Sequence, residues 1–280
     1  KQAGLLDASA SDWLSGLGVL DFDRKVRASM ADKHRQINHY LEIVSHLARE
    51  CGWAGTTPTS VHFADMGCGK GYLTFGLWHL FARVWKQPVR ITGVESRADL
   101  VTTTNKLARQ IQAEGLEFVR GEIATTKLAE VNALIALHAC NTATDDAIRR
   151  GIKLGTKLIV VAPCCHKEVR PQLGKPELLA PVLQHGIMAE RMAEWATDGL
   201  RALFLEWAGY RTKLMEFIGG EHTPKNLMIA AVREREAFSD AQVRGQIIAL
   251  KTFLGVEHHA LDALLTQGEG NLTSSPTNRA

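Results

Sequence analysis

Ten consecutive residues restrict the fold more than any other stretch of the chain: Phe63-Ala64-Asp65-Met66-Gly67-Cys68-Gly69-Lys70-Gly71-Tyr72. An apolar run ends in an acid, enters a Gly-x-Gly-x-Gly turn, and continues into a segment where Leu73, Leu77, Leu80, Phe81 and Val84 recur at helical spacing. Strand, glycine turn and helix in that order form one unit of an α/β layer. Glycines at 67, 69 and 71 open backbone conformations closed to other residues and let a ligand approach the main chain. The amides at the start of the helix then face that ligand.

The hydrophobic period keeps switching between strand-like and helix-like, which marks alternating units around a mostly parallel sheet. A helix is predicted over 32–49, with Ile37, Tyr40, Leu41, Val44 and Leu47 on one face. Strands are predicted over 60–66, 89–94, 116–120, 133–139 and 157–162, the last the most apolar and therefore central. Thr142 and Asp145 have capping-box spacing for the helix that follows. Residues 176–210 read as helix, broken near Gly186, with Met188, Met192 and Trp195 as helix core. Two strands, 211–218 and 226–232, are joined by a loop too short for a crossover helix and so run antiparallel. Surface helices and a polar tail complete the chain. The expected organisation is a lead-in over 1–31, a catalytic domain over 32–234, a helical extension over 235–266 and a disordered tail over 267–280.

Composition narrows the class. With 280 residues, 45% of them hydrophobic, the chain can bury a sizeable core. Its longest apolar runs fall far short of the ~18 residues a membrane span needs, so no membrane association is expected. Thirty-three Lys and Arg against 30 Asp and Glu leave a net charge of +3, too little to nominate a nucleic-acid partner by charge alone. Five cysteines, two of them adjacent, are not a disulfide framework and suit a cytoplasmic protein. The chain opens at Lys1 without an initiator Met, so sequence upstream is expected.

Two ligands compete for the glycine turn. The nicotinamide-dinucleotide fingerprint is Gly-x-Gly-x-x-Gly, but here the third glycine comes one residue early and Asp65 would face a pyrophosphate. A cationic ligand without phosphate fits better, and S-adenosylmethionine carries an ammonium and a sulfonium. Glu95, followed by Ser96, ends the second strand 30 residues later, where a carboxylate can accept both ribose hydroxyls. Glu122 and Ile123 follow the third strand, where adenine would lie. Acids at the ends of three successive strands, the first followed by a glycine turn, form a specific pattern.

On these residues the chain resembles the class I, Rossmann-like S-adenosylmethionine-dependent methyltransferases over 33–232. The resemblance implies a seven-stranded, mostly parallel sheet with helices on both faces and an antiparallel last strand. It implies that Asp65, Gly67, Cys68, Gly69 and Gly71 hold the methionine part, Glu95 and Ser96 the ribose, and Glu122 and Ile123 the adenine, with His138 beside the cofactor.

The ends of the fourth and fifth strands face the reaction, and they carry His138-Ala139-Cys140-Asn141 and Pro163-Cys164-Cys165-His166. Three chemistries are open: His138 or His166 as general base, Cys164 or Cys140 as nucleophile, or a thiolate zinc site. The last is disfavoured because adjacent cysteines cannot easily share one ion and no Cys-x-x-Cys pair exists, so no metal is expected. The segment His138-x-Cys140-x-x-Ala143-Thr144-Asp145 with Cys164-Cys165-His166 is similar to eukaryotic tRNA 2′-O-methyltransferases. Lys33, Arg35, Gln36, Ile37 and Asn38 match a helix that precedes the glycine loop in related methyltransferase-like proteins. Lys167 and Asn141 depart from the tRNA enzymes, where a second histidine and a glycine stand. The resemblance implies methyl transfer to RNA, with His138, Asp145, Cys164 and His166 shaping the acceptor pocket and no obligate protein partner. A protein or small-molecule acceptor, a covalent cytosine-C5 route, a non-catalytic cofactor-binding scaffold and a nicotinamide-dependent oxidoreductase are the alternatives.

Lys33 and Gln36 fall on the inward stripe of their helix, where a polar group needs a partner or lines a cleft. Lys225 and Asn226 sit in the hairpin loop, as a solvated turn or a phosphate contact.

Overall fold

Strand residues alternate between the two faces of a sheet, and here both sets are apolar, so both faces must be covered. The computed structural model describes residues 5–54, 60–137, 142–163, 166–217 and 227–267. The elements are α1 (Ser11–Gly16), α2 (Ala31–Glu50), β1 (Val61–Met66), α3 (Tyr72–Trp78), β2 (Val89–Glu95), α4 (Ala98–Gln110), β3 (Leu116–Arg120) and β4 (Ala133–Leu137). They continue as α5 (Ala143–Lys153), β5 (Leu158–Ala162), α6 (Ala180–Leu183), α7 (Gly186–Trp207), β6 (Tyr210–Glu216), β7 (Leu227–Arg233) and α8 (Ala241–Leu254). The strands form one seven-stranded sheet in the order β3-β2-β1-β4-β5-β7-β6. β1 to β5 pair in parallel, and β7 is antiparallel to both β5 and β6. This is the Rossmann-like methyltransferase fold expected from the sequence. Strand order reverses between β1 and β4, and ligands of such sheets bind outside the carboxyl ends at that switch point.

Two cores result. Phe63, Ile91, Ile135 and Val160 face α1 to α4, while Met66, Leu134, Ile159 and Val161 face α5, α7 and α8. The N-terminal segment belongs to the first core. Trp13 is fully buried, its ring stacked on Phe75 at 6.3 Å. The C-terminal segment belongs to the second, through Val243, Ile247, Leu254, Leu261 and Leu264. It is therefore more than an exposed extension: α8 is a surface helix whose inner stripe, Val243, Ile247 and Leu254, is buried.

Three other local expectations change. Thr142 makes no side-chain cap, because its backbone is helical (φ −65°, ψ −10°) rather than extended, and the Asp145 carboxylate that would complete the box is taken by Arg201 of α7. Met188 and Trp195 are not core: they are 40% and 62% exposed, and only Met192 packs against the second core. β5 is an interior strand, but the middle position belongs to β4. The strand ends at 138–139 and 218, the loop with Lys225 and Asn226, and the tail from 268 lie outside the described residues.

Candidate active site

β1 delivers Asp65 to the carboxyl edge of the sheet next to the turn that starts α3. Gly67, Gly69 and Gly71 adopt φ of 75°, 59° and 76°, the left-handed region where glycine carries no Cβ penalty. Gly71 is the N-cap of α3. The turn is held to the neighbouring strand by Gly67 and Cys68, whose amides donate to the Val94 carbonyl at 2.8 and 3.1 Å.

Asp65 is 4% exposed and accepts a 2.6 Å hydrogen bond from the Thr74 hydroxyl. Burial pushes its carboxyl up to about 6, with the Thr74 bond acting in the opposite sense. Desolvation, with the charges of Asp65 and Glu95, pushes the half-buried Cys68 thiol up, away from the thiolate form. Tyr40 of α2 is also fully buried, and its hydroxyl has no hydrogen-bond partner among the described residues. Its pKa is raised by burial and by the Asp65 charge. A buried carboxylate at the mouth of a glycine turn is a complement for a cation.

Glu95 closes β2, 5% exposed. Its carboxylate accepts from the Gly69 amide at 2.9 Å, the Arg97 amide at 3.0 Å, Arg97 Nε at 3.0 Å and Nη2 at 3.1 Å, and the Ser96 hydroxyl at 3.2 Å. Hydrogen bonding to the Arg97 guanidinium leads the causes that hold it down at about 2. Glu95 is therefore ionised, and because its two oxygens already accept five donors, a ribose hydroxyl would take a place that Arg97 or Ser96 holds here. Arg97 is a site residue that the strand-end pattern did not reveal, although it stands only two positions after Glu95.

A cavity of about 650 Å³ opens at this edge, lined among others by Asp65, Gly67, Gly69, Arg97, Lys33 and Gln36. Lys33 and Gln36 thus line the cleft. Lys33 Nζ donates to Gln36 Oε1 at 2.7 Å and lies 5.5 Å from the centre of the Tyr72 ring. Ser29, Met30 and Leu137 complete parts of the wall and were not foreseen, since apolar and small residues before a helix carry no sequence signal of a site. Ile123 reaches the turn, because a methyl group added at Gly67 would lie 3.8 Å from its Cδ1. Glu122 is exposed, and its carbonyl accepts the amides of Thr125 and Thr126. Gly93 in the middle of β2 is sterically required: a Cβ there would stand 2.6 Å from Phe118 Cδ1 and 3.0 Å from Cys68 Sγ.

The acceptor side is partly described. His138, Cys140, Asn141, Cys164 and Cys165 lie outside the described residues. His166 follows β5, its Nε2 2.5 Å from Glu190 Oε1 of α7 and its Nδ1 buried without a partner among the described residues. Glu190 also pairs with Arg170. Asp145 is fully buried and binds Arg201 in fork geometry, Nε at 2.9 Å and Nη2 at 2.8 Å, with Asp198 at 3.4 Å from Nη1. Its carboxylate is committed to α7. Among the described residues no group of three or more His, Cys, Asp and Glu could hold a metal ion, and no helix is long and apolar enough to cross a membrane.

Residues 32–172 match a family model described as a methyltransferase domain. No curated protein matches the chain. Among solved structures, magnesium protoporphyrin IX methyltransferase from Synechocystis, with bound S-adenosylhomocysteine, is 15% identical over 80% of this chain and 93% of that one, at a TM-score of 0.46. A SAM-dependent methyltransferase from Aquifex aeolicus is 13% identical over 68% and 89%, at 0.41. The tRNA (uracil-54, C5)-methyltransferase of Pyrococcus abyssi is 14% identical over 70% of this chain, which spans 38% of that protein's length, at 0.41.

Proposed function

Because the chain belongs to this methyltransferase-domain family, we propose that it transfers the methyl group of S-adenosylmethionine to RNA. The observation that carries the cofactor is the pairing of two carboxylates across one glycine turn: Asp65, buried without a cation, and Glu95, ionised at the next strand end. The residues fit the group. Asp65 takes the ammonium, the main chain at Gly67 to Gly69 lies against the methionine part, Glu95 accepts the ribose hydroxyls, and Ile123 packs near adenine. When bound, the cofactor supplies an electrophilic methyl on sulfur. The protein's part is to hold the acceptor in line with that methyl and to exclude water, which is worth several powers of ten in rate.

His166, oriented by Glu190, is the candidate for taking a proton from the acceptor, with His138 as the second candidate from the sequence. Asp145 acts through Arg201 as a support for α5 and α7 and is not assigned to the reacting groups. RNA rests on the resemblance of the His138 to Asp145 and Cys164 to His166 segments, and on the cations Lys33, Lys70 and Arg97 around the cleft.

Calorimetry tests the cofactor: S-adenosylhomocysteine should bind in the micromolar range and NAD should not, with binding lost in Asp65→Ala. Incubation with methyl-labelled cofactor and total cellular RNA or protein tests the acceptor. Label in the protein fraction alone would overturn the RNA reading. Cys164→Ala should retain turnover; complete loss, with a covalent RNA adduct trapped on the wild type, would favour the cysteine route.

A further inference from the structure

The chain between α1 and α2 reaches the cleft twice. Leu17 offers its carbonyl to the Tyr72 hydroxyl at 3.5 Å, and Ser29 and Met30 form part of the cleft wall. Between these anchors the backbone folds back on itself. Arg27 donates its amide to the Val19 carbonyl at 3.0 Å, and Leu20 and Val26 form an antiparallel bridge. A turn over 21–25 therefore projects from the cleft rim. It is tightly built: the Asp21 carboxylate accepts the amides of Asp23 and Lys25, each at 2.9 Å. The Asp21 amide in turn donates to the Lys25 carbonyl at 2.9 Å, and Arg24 takes the left-handed conformation at φ 60°.

The tip of this ordered turn is Phe22, 102% exposed. A large apolar ring held fully in water by a structured turn gives the fold nothing, since burying such a side chain is worth about 1.5–3 kcal/mol. Beside it stand exposed Arg24 and Lys25 and the exposed carboxylate of Asp23; Arg27 Nε donates to the Leu20 carbonyl at 3.2 Å, and the Asp21 carboxylate is engaged within the turn.

We infer that Phe22 is a stacking platform for an unpaired base of the RNA acceptor, with Arg24 and Lys25 on the adjacent phosphates, so that the strand runs from this turn into the cleft. An aromatic ring among cations is the general means of holding single-stranded nucleic acid, and the inference rests on the RNA reading above. It specifies single-stranded RNA rather than a duplex, because a ring at a turn tip can stack only on a base already out of its pair.

Fluorescence anisotropy with an end-labelled, unstructured RNA of about 16 nucleotides, the upper range of common site sizes, tests it. Phe22→Ala should weaken binding by about 5- to 150-fold, with S-adenosylhomocysteine affinity unchanged as the control for folding, and Phe22→Trp should restore it. The Arg24→Gln, Lys25→Gln pair should lower the salt slope by about 1.4, two phosphates at roughly 0.7 each. Wild-type affinity in Phe22→Ala would overturn the platform and leave the RNA reading standing. No RNA binding by the wild type, together with methyl label in the protein fraction, would overturn both.

Discussion

Asp65 is held in a state that costs the ligand-free protein stability. Its folded pKa, about 6, lies above the ordinary value of 3.8, so the folded state binds the proton more tightly than the unfolded chain. The sign follows: its contribution is most favourable below about pH 4 and is lost as pH rises through 6. Asp65→Asn keeps an acceptor for Thr74 and removes the charge, so it should stabilise the ligand-free protein at pH 7 by roughly 1–3 kcal/mol, read by denaturant unfolding. The same variant should lose cofactor binding. In the wild type, affinity for S-adenosylhomocysteine should rise with pH up to about 6 and then level off, because an ammonium favours the ionised carboxylate. Titration calorimetry at several pH values checks this, and a flat profile would remove Asp65 from the ammonium site. Asp65, Glu95 and the glycines were legible because strand ends and turns leave a local pattern. Arg97 and Thr74 were not, since nothing in an isolated Arg or Thr says which carboxylate it will meet.

At the level of elements, the contact that organises the second face is the Asp145–Arg201 pair between α5 and α7, with side chains 1% and 3% exposed. Asp145→Ala leaves a buried guanidinium without its fork partner and should cost about 3–5 kcal/mol. Adding Arg201→Met should recover much of that loss, as measured by the denaturation midpoint. A loss of turnover in Asp145→Asn with no loss of stability would instead give Asp145 a part in the chemistry. The pair also shows where sequence reading stops. Thr142 and Asp145 have capping spacing, but the competing partner stands 56 residues away, beyond any local rule. For α7, periodicity reported an apolar stripe through Met188 and Trp195 without saying whether anything covers it, and water does. The alternating strands were read well because every strand but the edge strands β3 and β6 repeats the same pattern of two covered faces.

Across the whole molecule, the C-terminal segment is a clasp on the segment that follows β5. Gly174 donates its amide to the Leu254 carbonyl at 2.8 Å, and Gln172 both donates to the His258 carbonyl and accepts its amide, each at 2.8 Å. His259 lies beneath, stacked on Phe204 at 5.1 Å and accepting the Leu261 amide at 3.1 Å. Burial lowers its pKa to about 4, so the unfolded chain takes up the proton first as pH falls. Stability from His259 is complete above about pH 6.5 and declines towards pH 4, by up to about 3 kcal/mol. Replacing it with Phe should flatten that decline in thermal melts. The opposite slope from Asp65 covers part of the same range, so the two variants must be compared with each other as well as with the wild type.

The two ends of the described chain seal opposite faces of the sheet, Trp13 and Leu14 one core and Leu261 and Leu264 the other. Synthesis runs from the first end to the last. On the ribosome, the helices over the face of Trp13 emerge early, but that core also takes Val160, Phe217, Met228 and Val232, so neither face can close before β7 has been made. A nascent chain of this protein therefore keeps apolar surface open on both sides of the sheet until its antiparallel strands have emerged.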